Sequence, residues 1–412
     1  MQSLDLLCMG QEDWDDVWRR NQHLLAGLAR AGRTRRILFV EPPCDLSHAL
    51  RSGKLFSAFS GQRNKLRQAL GGARPEREIT GLWLLTPFKL LPNSVPLLHR
   101  VNQWWERLQV GAALRALGMR RPVLWTQNPE AAHWLAFPDR SLSIYDATDD
   151  WSAMHGPARW VELVRRGQEQ LARNSDLVLA CSPYLNEKWA RVNAKTHLLP
   201  NGVNVAHFER AGRLPLPPDV AALPRPVLGY IGTLHDERID VDLVTGVAGA
   251  RPDWQFLFIG PNLLSGASLA RLKPLANVHL IGPRPYRDLP AYMGAFDVCI
   301  LPHRVTLFTE SLDPIKLYEY LASGLPIVST SVGSVRDFVG DVSLAGDPGQ
   351  FVAQVEAALT KDDEVARRRR RDLAQGSSWN CRVAALQRIL QGSLAGDGVM
   401  IADRTTVGAS HQ

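Results

Sequence analysis

The sequence predicts an α/β protein built from two doubly wound sheets that face each other across a cleft. Short apolar runs alternate with helix-length segments in both halves of the 412-residue chain, a pattern typical of parallel sheets covered by helices. Prolines at 215, 217, 218, 224 and 226 interrupt regular structure between the halves. Open sheets of this kind bind ligands beyond the carboxyl ends of their strands, so a cleft between two of them is the expected binding site.

The individual elements follow from these apolar runs. An amphipathic helix is predicted at 15–31, and the strands of the first half are predicted at 4–9, 36–40, 81–85, 123–126, 142–145, 177–180 and 197–199. The second half is predicted to contain strands at 227–231, 255–259, 278–281, 298–301 and 326–329, with helices at 241–249, 289–295 and 314–322. The predicted division is a first domain at 1–205, a linker at 206–226, a second domain at 227–395 and a polar tail at 396–412.

Charge is distributed unevenly along the chain. Residues 1–205 hold 27 basic and 19 acidic side chains, a net +8, whereas residues 206–412 hold 21 and 22, a net −1. Ten of the twelve tryptophans also lie in the first half. The first domain is therefore expected to meet an anionic or amphipathic partner.

Cysteine usage and the start of the chain suggest a location. The five cysteines are scattered and form no C-x-x-C pair, which argues against a disulfide framework and a zinc site. The first sixteen residues carry acids and no basic region, and no apolar run approaches the ~18 residues that cross a bilayer. We expect a cytoplasmic protein that binds no metal.

The densest chemical signal surrounds a predicted helix start near residue 314. Asp313 is the expected N-cap and Pro314 the first helical residue, so the first-turn amides would form an anion site. Lys316 and Glu319 lie three residues apart, on one helix face. A cation beside a phosphate and an acid beside a sugar hydroxyl would suit a nucleotide diphosphate. The alternative is an ordinary solvated ion pair.

Four stretches together resemble GT-B glycosyltransferases, particularly family four and the teichuronic-acid type. The helix segment is Asp313-Pro-Ile-Lys-Leu-Tyr-Glu-Tyr-Leu-Ala-Ser-Gly-Leu-Pro-Ile-Val-Ser-Thr330. The other three are Leu199-Pro-Asn-Gly-Val-Asn204, Gly229-Tyr-Ile-Gly-Thr233 and Asn277-Val-His-Leu-Ile-Gly-Pro-Arg-Pro-Tyr286. The resemblance is strong over about residues 196–360 and weak before them. It implies two Rossmann-like domains and a nucleotide-sugar donor, most often a UDP-sugar.

The resemblance also implies roles for individual residues of the donor site. Glu319 would hold the ribose, and Lys316 and the first-turn amides would hold the diphosphate. From its position at the end of the strand beside this helix, rather than from the resemblance, Arg304 would neutralise developing diphosphate charge or simply lie on the surface. Gly232 and Thr233 would approach the phosphates, and residues 282–284 would frame the base. Ordinary turn glycines are the alternative for Gly232 and Gly282. The expected donor-site residues are Gly232, Thr233, Arg238, Gly282, Arg284, Arg304, Lys316 and Glu319.

The sequence departs from the family pattern at two places. Ser311 stands where the first of two glutamates is usual, and Glu310 is one position away. Thr233 occupies the usual arginine position, and Arg238 falls one residue short of the usual lysine. Because the paired glutamates accompany retention of the anomeric configuration, the stereochemistry stays open.

An inverting enzyme needs a general base on the first domain. Asp146, Asp149 and Asp150 follow a predicted strand, and adjacent like charges raise the pKa of one carboxyl group. Asp149 and Asp150 are the catalytic candidates. The alternative is that Asp146 binds turn amides and Asp150 caps a helix.

A basic segment in the first half predicts contact with an anionic membrane. Leu55, Phe56 and Phe59 are interleaved there with seven basic residues, Arg51, Lys54, Arg63, Lys65, Arg67, Arg74 and Arg77. Trp83, Phe88, Trp104 and Trp105 follow, although core positions are the commoner fate of tryptophan. Nucleic acid is a weaker candidate because no recognised motif is present, and the arginine run 367–371 is expected to be a solvated helix face.

The sequence thus predicts a hexosyltransferase of the GT-B type, bound peripherally to the inner face of the plasma membrane. It would transfer a sugar from a UDP-sugar to a glycan or lipid-linked acceptor in cell-surface polysaccharide synthesis, without a metal or other cofactor. Two alternatives stay open, a nucleotide-sugar epimerase of GT-B-like fold and a non-catalytic nucleotide-sugar-binding protein.

Overall fold

The computed structural model describes residues 4–15, 18–45, 68, 71–89, 91, 96–154 and 156–403. Its two large sheets are almost entirely parallel, as the alternation of apolar runs predicts. Residues 46–67, which include most of the predicted membrane segment, lie outside the described residues. No helix in the described ranges is long and apolar enough to cross a membrane.

The first sheet has eight strands in the order β10-β9-β8-β7-β1-β2-β5-β4, with β4 antiparallel to β5. Its strands are β1 (Leu4–Met9), β2 (Thr34–Val40), β4 (Arg74–Pro75), β5 (Leu82–Leu85), β7 (Val123–Thr126), β8 (Leu142–Ala147), β9 (Leu177–Ala180) and β10 (Thr196–Leu198). β3 (Cys44–Asp45) and β6 (Phe88–Lys89) form a separate short pair. The helices of this half are α1 (Arg20–Arg30), α2 (Pro96–Ala116), α3 (Ala158–Asn174) and α4 (Pro183–Ala190).

The second sheet has six parallel strands in the order β15-β13-β11-β16-β17-β18. They are β11 (Val227–Ile231), β13 (Gln255–Ile259), β15 (Val278–Leu280), β16 (Val298–Leu301), β17 (Ile327–Ser329) and β18 (Ser343–Leu344), while β12 (Leu234–His235) pairs with β14 (Asn262–Leu263). The helices are α5 (Val205–Phe208), α6 (Val241–Ala250), α7 (Gly266–Leu272), α8 (Leu289–Met293), α9 (Leu307–Glu310), α10 (Ile315–Ser323), α11 (Pro348–Lys361), α12 (Glu364–Gly376) and α13 (Trp379–Asp403). Short 3₁₀ turns cover Pro129–Ala136, Trp151–Ala153, Tyr286–Asp288 and Gly333–Phe338.

Strand register places the site loops at one edge of each sheet. Met9 at the end of β1 pairs with Val40 at the end of β2 and with Thr126 at the end of β7. β8, which precedes the acidic loop at 148–150, lies beside β7. In the second sheet β16, which precedes α9 and α10, pairs with β11 and β17.

The structure moves the predicted domain boundaries. The predicted linker, 206–226, packs on the second sheet, where Phe208 and Val220 are buried in the core. The chain leaves the first domain earlier, because Leu199 belongs to the first core and Val203 to the second. The crossing is therefore the Pro-Asn-Gly segment at 200–202.

The end of the predicted second domain is also wrong. α13 returns to the first sheet, whose core includes Trp379, Val383, Leu386 and Leu390, so the domain at 227–395 loses its last helix. The predicted tail at 396–412 begins inside α13, which continues to Asp403, and residues 404–412 lie outside the described part of the chain.

The chain crosses between the domains a second time at 376–378, between α12 and α13, and this crossing lies beside the first. The Val203 amide donates to the Ser377 carbonyl at 3.1 Å, and the Trp379 amide donates to the Val203 carbonyl at 3.1 Å. A Cβ atom at Gly202 would lie 2.9 Å from the Ser377 carbonyl oxygen. Glycine is needed at 202 because only a residue without a side chain lets the two segments approach so closely.

A buried ion pair lies beneath these crossings. Arg20, at the start of α1, donates through Nε to Asp146 at 3.0 Å and through Nη1 to the Asn201 side-chain oxygen at 3.2 Å. Gln127 donates to the other oxygen of Asp146 at 2.7 Å. Arg20 and Asp146 are almost fully buried, so each needs the other to offset the loss of hydration.

Replacing Arg20 should therefore lower stability strongly. Arg20→Met leaves Asp146 as a buried charge, and we expect the free energy of unfolding to fall by about 3–5 kcal/mol. Arg19→Met is the matched control, since Arg19 makes partly exposed ion pairs with Glu12 and Asp15 that are worth about 1 kcal/mol or less. Urea denaturation of both variants measures the difference, and equal losses would contradict a special role for the buried pair.

Candidate functional site

The acidic loop that follows β8 meets the second domain. Asp149 lies in this loop, and its Oδ1 atom is 3.6 Å from Nη2 of Arg238, which follows β12. The Arg238 guanidinium also lies over the Phe308 ring, 5.5 Å from its centroid. Asp149 and Arg238 thus join the edges of the two sheets by one ion pair.

The surroundings of Asp149 favour its protonated form. Its side chain is 14% exposed, and burial raises the pKa of Asp149 to about 6, while Arg238 and a hydrogen bond from Thr148 act in the opposite direction. Glu12 and Asp150 add to the increase through like-charge repulsion. The carboxyl group therefore titrates near the pH at which a general base works best.

Asp150 and Asp146 have different surroundings from Asp149. Asp150 is buried and accepts from Lys188 at 2.5 Å and from Ser152 at 2.6 Å. It precedes a 3₁₀ turn without capping it through its side chain. Asp146 binds Arg20 rather than turn amides. Of the three aspartates, Asp149 is the one whose side chain meets the second domain.

Ser311 occupies the position of the first family glutamate and is a contact between the domains. Its hydroxyl accepts from the Asp150 amide at 2.9 Å and donates to the Phe308 carbonyl at 2.6 Å. The Ser311 carbonyl accepts from the Ser182 hydroxyl at 2.7 Å. The neighbouring Glu310 forms an ion pair with Arg336, so neither residue places a carboxylate at this point.

The predicted donor-binding helix, α10, begins one residue later than expected. Pro314 is its N-cap, and Asp313 precedes it. Asp313 does not cap the helix because its carboxylate accepts from the Asn201 amide at 2.5 Å, the Tyr318 hydroxyl at 2.8 Å and the Ser334 hydroxyl. The first turn still begins with the amides of Ile315 and Lys316, since the first N–H groups of a helix have no intrahelical acceptor.

Lys316 and Glu319 form an ion pair with unequal burial. Lys316 Nζ lies 2.9 Å from Glu319 Oε2. The Lys316 side chain is 28% exposed and that of Glu319 only 4%, so the pair is not the solvated one offered as the alternative. Burial raises the pKa of Glu319, and Lys316 opposes the increase. Glu319 is also close enough to His207 and Tyr286 for their charges to interact.

His207 and Tyr286 form an aromatic plate beside Glu319. Their rings are stacked with centroids 4.6 Å apart, and His207 Nε2 lies 2.9 Å from the Tyr286 carbonyl oxygen. Tyr286 belongs to the segment that resembles the nucleobase loop. Sequence reasoning missed His207, although it lies only three residues beyond the Pro-Asn-Gly-Val-Asn motif.

The other predicted donor residues are distributed around the edge of the second sheet. Gly232 donates its amide to the Ile259 carbonyl at 2.8 Å, and a Cβ atom at Gly260 would lie 2.0 Å from the Gly232 carbonyl oxygen. Close backbone packing therefore explains Gly260, and a Cβ atom at Gly232 would lie 2.8 Å from the Tyr230 hydroxyl oxygen. Thr233 is half-buried, next to Gly232. Gly282 has φ +76° and open space on its Cβ side.

The arginines of the predicted donor site differ in what they contact. The Arg304 amide donates to the Arg238 carbonyl at 2.7 Å, so the two residues are neighbours, and the Arg304 side chain is exposed. The Arg284 side chain binds Asp219 at 2.8 Å and the Tyr292 hydroxyl at 2.7 Å. Arg284 therefore braces the 206–226 segment.

A buried histidine and tyrosine complete this edge. His303, at the end of β16, has Nε2 3.4 Å from the Tyr230 hydroxyl, and its Nδ1 is buried without a hydrogen bond. Burial lowers the pKa of His303 to about 3, so the ring is neutral at physiological pH. No group of three His, Cys, Asp or Glu side chains in the described ranges is arranged to hold a metal ion.

Comparison with known proteins agrees with this architecture. The family described as glycosyl transferases group 1 matches residues 225–361. A Bacillus subtilis (strain 168) protein, TuaH, named as a teichuronic acid biosynthesis glycosyltransferase, is 29% identical over 291 residues, covering 63% of this chain and 73% of that protein. These matches support a glycosyltransferase of the GT-B type.

Solved structures show the same fold in other GT-B proteins. Sucrose-phosphate synthase from Thermosynechococcus elongatus has a TM-score of 0.68 at 16% identity, covering 95% of this chain and 100% of that one. Alr3699/HepE of Anabaena, solved in complex with UDP-glucose, has a TM-score of 0.64 at 15% identity and covers 94% and 100%. Of the three functions that the sequence left open, the family match and the Bacillus relative support the glycosyltransferase.

The raised pKa of Asp149 implies that its charge opposes folding at neutral pH. Because the folded state holds the proton up to about pH 6 and the unfolded chain loses it near its ordinary value of 3.8, wild-type stability falls as pH rises between the two values. Asp149→Asn removes this effect. We expect its free energy of unfolding, relative to wild type, to increase by on the order of 1 kcal/mol from about pH 5 to about pH 7.5.

Urea denaturation of Asp149→Asn and wild type at the two pH values tests this prediction. Asp150→Asn is the matched control, because it removes the ion pair with Lys188 and should lower stability at both. If the difference in the free energy of unfolding between Asp149→Asn and wild type does not change with pH, Asp149 has an ordinary pKa.

Proposed function

We propose that this glycosyltransferase transfers a sugar from a UDP-sugar to a hydroxyl group of a glycan or lipid-linked acceptor in cell-surface polysaccharide synthesis. One observation carries the proposal. The segment that leads into α10, the helix that carries Lys316 and Glu319, is bound to the Asp149 loop, because the Asp150 amide donates to the Ser311 hydroxyl at 2.9 Å. The proposed nucleotide-binding residues, Lys316 and Glu319, and the proposed proton acceptor, Asp149, thus lie on segments that are in contact.

The donor half of the proposal rests on Lys316, Glu319 and the plate of His207 and Tyr286. The buried carboxylate of Glu319 would accept hydrogen bonds from the ribose hydroxyls, and the more exposed Lys316 would turn to the diphosphate beside the Ile315 and Lys316 amides. The resemblance to a solved protein in complex with UDP-glucose supports a UDP-sugar as the donor. Amides and a lysine would then stabilise the leaving diphosphate.

The transfer half rests on Asp149. As a general base it would take the proton from the acceptor hydroxyl while that oxygen attacks the anomeric carbon and the bond to the diphosphate breaks. The pKa of about 6 leaves the carboxylate mostly ionised at neutral pH and still basic. Arg238, 3.6 Å from Asp149, would orient it and attract the anionic donor.

A pocket at the carboxyl ends of β1, β2 and β7 is a suitable acceptor site. It encloses about 90 Å³ and is lined by the rings of Phe88 and Trp134 and by polar groups that include Glu106 and His133. The Glu106 and His133 side chains approach to 4.0 Å. Burial raises the pKa of Glu106 to about 7 and lowers that of His133 to about 4. Lys89 and Glu41 also line this pocket, and such an array of hydrogen-bonding groups beside an aromatic ring suits sugar hydroxyls.

A membrane-bound acceptor would suit the basic first domain. Of the seven basic residues in the predicted membrane segment, the structure describes Arg74 and Arg77, and Arg74 is bound to Glu41 at 3.1 Å and thus has a structural role. The others, with Leu55, Phe56 and Phe59, lie outside the described residues. Trp104 on α2 is 59% exposed. These features and the name of the Bacillus relative support peripheral binding to an anionic membrane and transfer into a cell-surface polymer.

Removing the Glu319 carboxylate should weaken donor binding. Glu319→Gln loses charge-assisted hydrogen bonds worth about 1.5–3 kcal/mol, so the Kd for UDP should rise about 10- to 100-fold. Isothermal titration calorimetry with UDP measures the change, and circular dichroism confirms the fold. Glu310→Gln is the control, because Glu310 pairs with Arg336 on the surface and should leave the Kd unchanged. An unchanged Kd in Glu319→Gln would remove Glu319 from the donor site.

Removing the proposed base should affect turnover rather than donor affinity. Asp149→Asn should lower kcat about 10²- to 10⁴-fold without a large change in the Kd for UDP. Asp139 is exposed, and the control variant Asp139→Asn should have the wild-type kcat and Kd. Because a base acts when deprotonated, wild-type kcat/KM should rise with pH through about 6. UDP release measured across pH tests this, and a flat profile with normal Asp149→Asn turnover would exclude Asp149 as the base.

A further inference from the structure

A second pocket lies on the second domain, away from the Lys316–Glu319 pair. It encloses about 230 Å³ at the C-terminal end of α10. Its walls are the 211–213 turn, the end of α8, the end of α10 and one face of α12. Because α10 has nine residues and rises about 1.5 Å per residue, this pocket is separated from the start of the donor helix by about 13 Å.

Arginines are the charged residues that line this pocket. They are Arg213 on the turn and Arg367 and Arg371 on α12. No carboxylate is among the described lining residues. The second domain as a whole carries no basic excess, so this concentration of positive charge is local.

Neighbouring carboxylates neutralise these arginines incompletely. Asp362 pairs with Arg367 at 2.7 Å and also with the buried Arg370, so one carboxylate serves two guanidinium groups. Arg371 pairs with Glu364 at 2.8 Å, and Arg213 is exposed. The four arginines therefore exceed the two carboxylates by two charges. In the run 367–371, Arg367, Arg368 and Arg369 are exposed, as expected of a solvated face, whereas Arg370 is buried.

One donor of the pocket lacks a partner. The Nε atom of Arg371 is buried and makes no hydrogen bond. A Cβ atom at Gly324 would lie 2.7 Å from it, so glycine at 324 gives this guanidinium its room. A buried N–H without an acceptor costs free energy, and an anionic ligand would provide the acceptor.

The end of α10 does not repel an anion from this pocket. Its exposed carbonyls would carry partial negative charge, but the Gly324 carbonyl accepts from Arg370 at 2.8 and 3.0 Å. Arg370 is thus a structural residue that neutralises the helix end, and it leaves Arg213, Arg367 and Arg371 for a ligand.

We propose that this pocket binds a phosphate group, at a site distinct from the donor site. Planar guanidinium groups recognise phosphate oxygens by paired hydrogen bonds, and the volume of about 230 Å³ accommodates a phosphate with part of the molecule that carries it. The group belongs either to a soluble phosphorylated molecule or to a phospholipid headgroup, which share this chemistry.

The test measures the binding of inorganic phosphate and of pyrophosphate to the whole protein by isothermal titration calorimetry at constant ionic strength. The variant Arg213→Gln/Arg367→Gln keeps Arg370 on Asp362 and should fold normally. We expect wild type to bind and this variant to lose at least about tenfold in affinity, the effect of one lost charge-assisted hydrogen bond. Arg368→Gln, in the same run but outside the pocket, should bind as wild type.

Saturating UDP occupies the proposed donor site during each titration, so the phosphate binding that remains reports on this pocket. Absence of such binding to wild type, or equal binding to the double variant, would overturn the proposal. Soluble dihexanoyl phosphatidic acid, compared with glucose 6-phosphate on the same variants, identifies the source of the phosphate. If Glu319→Gln does not weaken UDP binding, the proposed donor site is contradicted, but the proposed phosphate pocket is not affected.

Discussion

The arrangement of the two domains depends on the hydrogen bonds of Asn201. Its amide and side-chain nitrogen donate to Asp313 at 2.5 and 2.6 Å, and its side-chain oxygen accepts from Arg20 at 3.2 Å. Its carbonyl accepts from Arg382 at 2.8 Å. One buried residue thus binds α1, the donor helix entry and α13 together. Because buried polar groups are costly when unpaired, the hydrogen bonds of Asn201 fix how these three segments are arranged.

The same chain of contacts positions the chemistry. Asp146 holds Arg20, Arg20 holds Asn201, and Asn201 holds Asp313 immediately before the donor helix. Asp146 also ends the strand that leads to Asp149, the proposed base. A shift at the 200–202 crossing would therefore move α10, the proposed nucleotide-binding helix, relative to the proposed base, and errors of about 1 Å in such geometry can cost ~100-fold in rate.

Local patterns predicted most of the fold, because strands and helices depend on neighbouring residues. β1, β7, β9, β11, β13 and β16 have the predicted bounds, and Gly324 ends α10 with φ +80°. The return of α13 to the first domain was not predictable, since its apolar face suits either core. Asp313 was mistaken for a cap because the sequence does not show that Asn201 binds its carboxylate. Likewise, Asp149 and Asp150 are adjacent in sequence, and only the fold separates the partner of Arg238 from the partner of Lys188.

The paired crossings at 200–202 and 376–378 limit how the lobes can move. Two short connecting segments in contact form a hinge. The domains can rotate about the line that joins the two segments, but twisting or sliding of one domain against the other is resisted. Any opening of the enzyme should therefore follow a single angular coordinate. Nucleotide entry and exit would then be governed by that one angle rather than by independent loop motions.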